Sequence, residues 1–475
     1  MVYSKYLIGV IGVLIGIASI FLTGTKSLFV ISILFIPVLI RFFFKNFEVS
    51  VVGLLILRSA LDPFTDRGLT GAFAVGLSGL TIIYTIVRLL SKQKVQIDSF
   101  FCFFALWVVL QGLWVVLLPL GGLGFGGEYL SDAVREWVRI FSWLMAYLLT
   151  LQLKERLSPE KFVNYLFLAL AIPIGVAFLQ LLVPDRLLPT FLAINRNQES
   201  LRINGTLGVA NTFATFLVFF IGLTYWKLNN TQKRLPWVLL LIVLVFFLVN
   251  TQTLVGITML LVLIPCLILS QLNFRNLISS VLLISLMFGI FLNTDFGQER
   301  LASIAQTPLF NSDIDISRAV LLSSQDSNSF NWRIAQWTAL LNHWKFSPVL
   351  GYGLQMTDYL GPMFAWAHND YIRVLVEEGV VGFTLFLLFL GTQLLRLLRL
   401  IVSPLTVKSQ KSFCLTLFAN MLAIMVGMLT ENIWSHTALF FYWFSISAIA
   451  NWSWGDPEGK LVLTPEPKIR LTHFG

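Results

Sequence analysis

Hydrophobic residues along this chain come in long blocks separated by short polar breaks, without the period of two or of 3.6 that marks a half-buried strand or an amphipathic helix. A bilayer crossing takes about 17 to 25 predominantly apolar residues. Blocks of that order fall at about 6–23, 28–44, 49–61, 69–90, 99–118, 134–153, 162–183, 206–226, 235–250, 252–270, 275–293, 378–400, 411–430 and 435–452. The third is short and reads as a half-span. The pattern predicts an all-α polytopic membrane protein, a bundle of about 12 to 14 transmembrane helices, because a spanning helix satisfies its backbone polar groups internally. No repeat or soluble domain interrupts residues 1–475, so one integral membrane domain is expected. The block after Lys5 resembles a signal peptide but lacks a small-x-small cleavage site, and reads as a retained first helix.

Only one polar interval is long, the loop at 294–368. Its first part, 294–329, is rich in Ser, Asp and Asn and is expected to be irregular. From Asn331 to Phe346 the pattern turns helical, with Trp332, Trp337 and Trp344 among the apolar positions, which suits an interfacial amphipathic helix at a lipid–water boundary. Pro348 ends it. A further helix is expected from His368, with Asp370, Arg373 and Glu377 on one face, so that Arg373 bridges two carboxylates.

Composition agrees: 57% of the 475 residues are hydrophobic and 12% charged, against about a quarter charged in soluble domains. The net charge of +9 does not point to nucleic acid, because the basic residues cluster in alternate breaks. These are Arg88, Lys92 and Lys94; Lys154, Arg156 and Lys161; Lys227, Lys233 and Arg234; Arg275; and Arg396, Arg399, Lys408 and Lys411. The positive-inside bias puts those breaks and both termini in the cytoplasm, and the breaks at 119–133, 184–205, 251–252, 294–368 and 431–435 outside. Cys102, Cys266 and Cys414 lie in or beside apolar blocks without ligand or disulfide spacing and read as small core residues.

Outward-facing arginines are exceptions to that bias. Arg135 and Arg139 stand one turn apart, Arg202 opens Arg-Ile-Asn-Gly-Thr, and Arg333 starts the amphipathic helix. A guanidinium offers paired donors to phosphate oxygens; the competing reading is contact with lipid headgroups or pairing with Glu136, Glu199 and Asp185. His368 is of the type that takes a proton from a hydroxyl or holds it in line, although a loop histidine is more often simply hydrogen-bonded. Asp313-Ile314-Asp315 has the form of a metal-holding unit but sits in a polar loop without a second ligand cluster, so neither a metal nor a cofactor is expected. His343 and His436 face outward outside any motif.

Within 330–386, Arg333, Pro348, Gly351, Gly353, His368, Asn369, Glu377, Gly379 and Gly382 follow in an order that resembles the signature of the O-antigen ligase and Wzy-type polysaccharide polymerase superfamily. Arg202, Gly205 and Asn211 resemble a second stretch of that family. Asn250-Thr251-Gln252-Thr253 departs from it, standing where many members carry Ser-Arg. The resemblance implies a GT-C-like, metal-independent, inverting glycosyltransferase in the bacterial inner membrane with its active site facing the periplasm. Its donor would be an undecaprenyl-pyrophosphate-linked sugar and its acceptor a glycan or a lipid, with envelope polysaccharide assembly proteins as partners. It would polymerise surface polysaccharide repeat units or ligate them; the residues do not choose between these. His368, Arg333 and Arg202 are the expected catalytic residues, and Arg135, Arg139, Asn369, Gly351 and Gly353 the expected substrate-binding ones. The competing class is a transporter of a small anion such as bicarbonate, or of the lipid-linked sugar. The scarcity of mid-span charge favours the enzyme. A structural scaffold is the third reading.

Overall fold

The computed structural model describes residues 39–193, 202–269, 295–305, 329–361 and 366–455, with isolated positions between 285 and 293. The predicted span at 6–23, most of those at 28–44 and 275–293, and the pair Asp313 and Asp315 lie outside the described residues. Among the described residues the chain is helical, without strands. Its helices are α1 (Phe47–Leu57), α2 (Leu69–Leu90), α3 (Ser99–Leu117), α4 (Leu130–Leu151), α5 (Pro159–Leu166), α6 (Ala171–Leu182), α7 (Ala210–Asn229), α8 (Leu235–Asn250), α9 (Leu254–Leu269), α10 (Asp295–Ala305), α11 (Ser329–Trp344), α12 (Thr357–Leu360), α13 (Asp370–Val402), α14 (Lys408–Gly427) and α15 (Thr437–Ala448). By length and composition five described segments can cross a membrane: α2, α3, α5 running on into α6, α13 and α14; α8, α9 and α15 are shorter apolar helices.

Apolar sequence alone does not sort these helices; what each side chain meets does. In α7 every residue from Phe213 to Thr224 is buried, and in α15 every residue from Ala438 to Ala448, so these two form the middle of the bundle. α4 packs on α2, α3 and α15, while α14 packs on α13, α9 and α7. On the outside, Leu106, Val109, Leu113 and Val116 of α3 and Leu235, Leu239, Ile242 and Phe246 of α8 stand exposed at helical spacing. Such stripes are unfavourable in water and suit hydrocarbon. The core is aromatic: Trp107 stacks on Phe389 at 4.1 Å, and Trp434 meets Trp143 at 5.0 Å and Phe440 at 4.6 Å, edge to face. Contacts of this kind each contribute about 0.5–1.5 kcal/mol beyond area burial.

The long helices leave their connections at two opposite ends. The basic breaks gather at one: Gln152 hydrogen-bonds both backbone groups of Gln96, Arg396 lies 3.6 Å from Asp98, and Asn230 reaches Ser412. The other end collects the segments around 118–129, 202–209, 251–253, 345–369 and 428–436.

At that second end α13 is broken. Gly379 has φ +65° and ψ −169°, which no helix allows. A break in a buried helix frees backbone groups that need partners, and the turn after Pro348 supplies them. Val380 N donates to Pro348 O at 2.9 Å and Val381 N to Val349 O at 3.2 Å. In return Tyr352 N donates to Val376 O at 3.1 Å and Gly353 N to Glu377 O at 2.8 Å. This backbone-to-backbone contact leaves no room for Cβ atoms. One on Gly351, itself at φ +69°, would lie 2.5 Å from the Glu377 carbonyl, and one on Gly379 would overlap the carbonyl of Val349. Gly382 likewise leaves space for the side chain of Glu378, whose carboxylate accepts from Gln111 at 2.7 Å.

One expectation for the long loop changes. Residues 295–305 form α10, which packs on α11, where irregular backbone was expected; the good helix formers of Gln-Glu-Arg-Leu-Ala outweigh the polar composition. The tryptophans of α11 are engaged by protein: Trp337 Nε1 donates to Ala367 O at 2.6 Å and Trp344 Nε1 to Pro348 O at 3.2 Å, while Trp332 packs on His368.

Substituting Gly379→Ala is expected to lower stability by about 2 kcal/mol or more, from the strained φ together with the overlap. Gly391→Ala, in the same helix with nothing near its Cβ position, should leave stability unchanged. Thermal melting of the detergent-purified variants measures both.

Candidate active site

The His-Asn pair is zipped onto the loop between α14 and α15. Asn369 caps α13, its Oδ1 accepting from Tyr371 N at 3.0 Å and Ile372 N at 3.1 Å. Its Nδ2 donates to Leu429 O at 3.0 Å and its backbone N to Asn432 Oδ1 at 3.2 Å. One amide side chain thus serves as helix cap and as tether, which requires a donor and an acceptor on one short stem. Asp370 continues the zip, its N donating to Met428 O at 2.9 Å and its Oδ2 accepting from Trp434 N at 2.8 Å. His368, just before, has φ +48°, a left-handed conformation that costs a non-glycine residue on the order of 1 kcal/mol or more and persists where surroundings impose it. Its Nδ1 lies 2.9 Å from Glu431 Oε1.

Glu431 is the junction of this end. Its Oε2 accepts from Asn211 Nδ2, Asn211 Oδ1 accepts from Arg202 Nη2 at 3.1 Å, and Arg202 Nε donates to Thr251 O at 3.1 Å. Three hydrogen bonds in series therefore join Arg202 to His368. The stretch at 250–253, which departs from the family pattern, meets Arg202 through a carbonyl. Arg202 sits on a turn at Gly205 (φ +56°), whose N donates to Gln180 Oε1 at 2.9 Å. Arg333 enters on α11 beside Trp332, whose ring meets that of His368 edge-on at 5.3 Å, and its charge acts on Glu431.

Burial alone would raise the Glu431 carboxyl above its ordinary range. The hydrogen bond and charge of His368, followed by the charges of His436 and Arg333, outweigh it and hold the group down to about 2. His436, 3% exposed, goes the opposite way. Burial pushes it down to about 4 against the pull of Glu431, with Arg139 and His368 adding to the fall, and its Nδ1 lies 2.9 Å from Thr215 Oγ1.

Beside this junction lies a buried ion network. Arg373 reaches Glu377 at 3.2 Å, Glu136 at 2.8 Å, Ser435 Oγ at 2.7 Å and Gln355 Oε1 at 3.2 Å. It bridges two carboxylates as expected, but the second is Glu136 of α4 in place of Asp370, which turns to Trp434. Arg139 shares Glu136 and lies over the Trp143 ring. Arg135, one turn nearer the surface, is 80% exposed and pairs with Asp132, which also accepts from Tyr359 at 2.6 Å.

Of the residues singled out by sequence, His368 meets Glu431, Arg202 is linked to it through Asn211, Arg333 acts on it through its charge, and Arg139 reaches the same neighbourhood through the field it exerts on His436. Arg135 lies at the rim, Asn369 holds backbone, and Gly351 and Gly353 line the contact with the broken helix. Sequence reading missed Glu431 and Asn432. The available signal was that Glu431 is the only acidic residue between Lys408 and Gly455, standing at the end of an apolar block.

His436 gives a pH dependence with a definite sign. Its folded value lies below its unfolded one, so between about pH 6.5 and 4 the unfolded chain binds a proton that the folded chain does not, and stability falls as pH falls. The loss across that window is on the order of 3 kcal/mol. His436→Gln should flatten the melting temperature against pH between 6.5 and 4.5; an unchanged slope would refute the assignment.

No curated protein matches the chain. Residues 202–387 match the family model described as O-Antigen ligase, Wzy_C. The matched span opens at Arg202 and encloses Arg333, the Pro348 turn, His368-Asn369 and Gly382. Over this span the chain is similar to the O-antigen ligase and Wzy-type superfamily.

Proposed function

We propose that this end of the bundle transfers a glycan from an undecaprenyl-pyrophosphate donor to an acceptor hydroxyl, on the periplasmic face of the inner membrane. The family supports a ligase- or polymerase-type activity on polysaccharide. The observation that carries the finer reading is that one buried carboxylate, Glu431, meets His368 on one oxygen and on the other meets Asn211, which in turn accepts from Arg202, within the field of Arg333.

Displacement at the anomeric carbon forms a bond to the acceptor oxygen as the bond to the pyrophosphate oxygen breaks, which inverts that carbon. Charge develops on the leaving oxygen, and planar guanidinium groups suit it because they remain charged and offer paired donors. In this reading Arg202 and Arg333 face the leaving group, and Arg139 and Arg135 lead inward from the rim along α4. His368 Nε2 takes the acceptor proton. Among the described residues, four carboxylates near His368 have cationic or donor partners: Glu136 and Glu377 hold Arg373, Glu431 lies against His368, and Asp370 accepts from Trp434. That commitment supports a reaction carried by side chains without a divalent metal.

Purified protein incubated with a lipid-linked oligosaccharide, with and without acceptor glycan or lipid A core, tests the reading through gel and mass analysis of products. Elongated donor indicates polymerisation and a core adduct indicates ligation. Arg202→Lys and Arg333→Lys are expected to lower turnover at least about 10-fold, since the charge stays but the planar fork is lost. His368→Ala should lower kcat about 100-fold, the lower range of a general base, with less effect on donor KM. The wild-type rate should survive excess chelator. Loss restored by Mg²⁺ or Mn²⁺ would remove metal independence from the proposal.

Orientation is tested separately. Single cysteines at Gly126 and within 306–328 should react with an impermeant thiol reagent from outside, and those at Gln93 and Leu405 only after permeabilisation. Labelling of 306–328 from the cytoplasm would place the site on the wrong face.

A further inference from the structure

We propose that Glu431 is the positioning residue for both halves of the site, holding the His368 imidazole toward the acceptor and, through Asn211, the Arg202 guanidinium toward the donor pyrophosphate. The inference rests on the transfer reaction proposed above, and Glu431 lies outside the span matched to the family.

The argument starts from what a carboxylate can accept. An ionised carboxylate has two oxygens and no donor. Here each oxygen serves a different partner: Oε1 meets His368 Nδ1 at 2.9 Å and Asn432 N at 3.1 Å, and Oε2 meets Asn211 Nδ2. Because Glu431 only accepts, the proton of a neutral His368 sits on Nδ1, and Nε2 keeps the lone pair a base needs. Because Asn211 gives its amide hydrogens to Glu431, its carbonyl Oδ1 is the atom turned to Arg202, at 3.1 Å from Nη2. One carboxylate thus selects a tautomer on one side and an amide orientation on the other.

The neighbourhood fits positioning better than simple charge pairing. Glu431 is 3% exposed, and it accepts from imidazole, amide and backbone groups while the nearby Arg373 is matched by Glu136 and Glu377. Its backbone is fixed by the zip to Asn369 and Asp370 and by the packing of Trp434, so its oxygens are held before substrate arrives. The second imidazole nearby, His436, is taken up by Thr215. A residue that orients a catalytic group in this way, without touching substrate, typically changes activity 10- to 100-fold when removed from comparable metal-site shells.

The full-length protein, with lipid-linked oligosaccharide as donor and whichever acceptor the wild type uses, decides the matter through kcat and donor KM. Glu431→Gln, which has one acceptor atom where two are needed, should lower kcat about 30- to 100-fold and raise donor KM about 10-fold. The informative measurement is the cross. On the His368→Ala background, Glu431→Gln should add almost no loss in kcat yet still raise donor KM. Placed on Asn211→Ala, it should add almost no rise in KM yet still lower kcat. Glu431→Asp, which keeps the charge, should recover at least about 10-fold of the lost kcat; if Glu431→Gln does not accumulate in the membrane, the same cross is read with Glu431→Asp. Wild-type constants in Glu431→Gln beside a crippled His368→Ala overturn this inference alone, as do losses that multiply fully on both backgrounds. A His368→Ala enzyme as active as wild type overturns the reading of His368 and this inference with it.

Discussion

A guanidinium buried almost completely inside a helical bundle is tolerated only when its charge and its donors are matched, since desolvation costs several kcal/mol per ion. Arg373, with 4% of its side chain exposed, sets that constraint here. Its partners come from separate places in the chain: Glu377 from its own helix, Glu136 from α4, Gln355 from the turn after Gly353, and Ser435 from the loop after α14. Each contact is ordinary, but together they require four segments to meet at one point. The loop that carries Ser435 also carries Glu431, and α4 also carries Arg139, so the packing around Arg373 brings the groups around His368 within reach of one another.

Much of this architecture is legible in the sequence because apolar blocks report burial in lipid directly. The two-ended arrangement of basic and site-bearing loops follows from the same blocks. Individual partners are less legible. Arg373 and Glu377 sit four apart on one helix and can be paired by spacing, whereas Glu136 is 237 residues away and no local period announces it. Asn211 and Arg202 lie within one short motif; Glu431 is 63 residues from His368 and sits in an apolar context where a lone carboxylate has no pattern around it. The break at Gly379 was hidden for a different reason. A glycine in an apolar helix is common, and only the facing carbonyls of Pro348 and Val349 show why this one cannot be replaced.

The signature residues divide by task. Pro348, Gly351, Gly353 and Gly379 control how closely two backbones approach, Gly382 makes room for the Glu378 side chain, and none presents a group for chemistry. Asn369 joins that framework to the His368 side chain by capping α13 while tethering the loop that carries Glu431. Arg202, Arg333 and His368 then receive their positions from elements that are themselves locked. That arrangement accounts for a strained φ at His368: the surroundings that impose it are the same hydrogen bonds that aim its ring.

The broken helix has a mechanical side as well. At about 1.5 Å per residue, the 33 residues of α13 would extend to about 50 Å, well beyond the roughly 30 Å of hydrocarbon in a bilayer. Because the backbone changes direction at Gly379, only the portion from Val380 to Val402 has to match the lipid, while the portion from Asp370 to Glu378 is bonded to protein at both of its ends. Thickness mismatch is relieved by tilt, at fractions of a kcal/mol per ångström. Here the change of direction at Gly379 separates the stretch that has to match the lipid from the stretch that is bonded to the site-bearing loops.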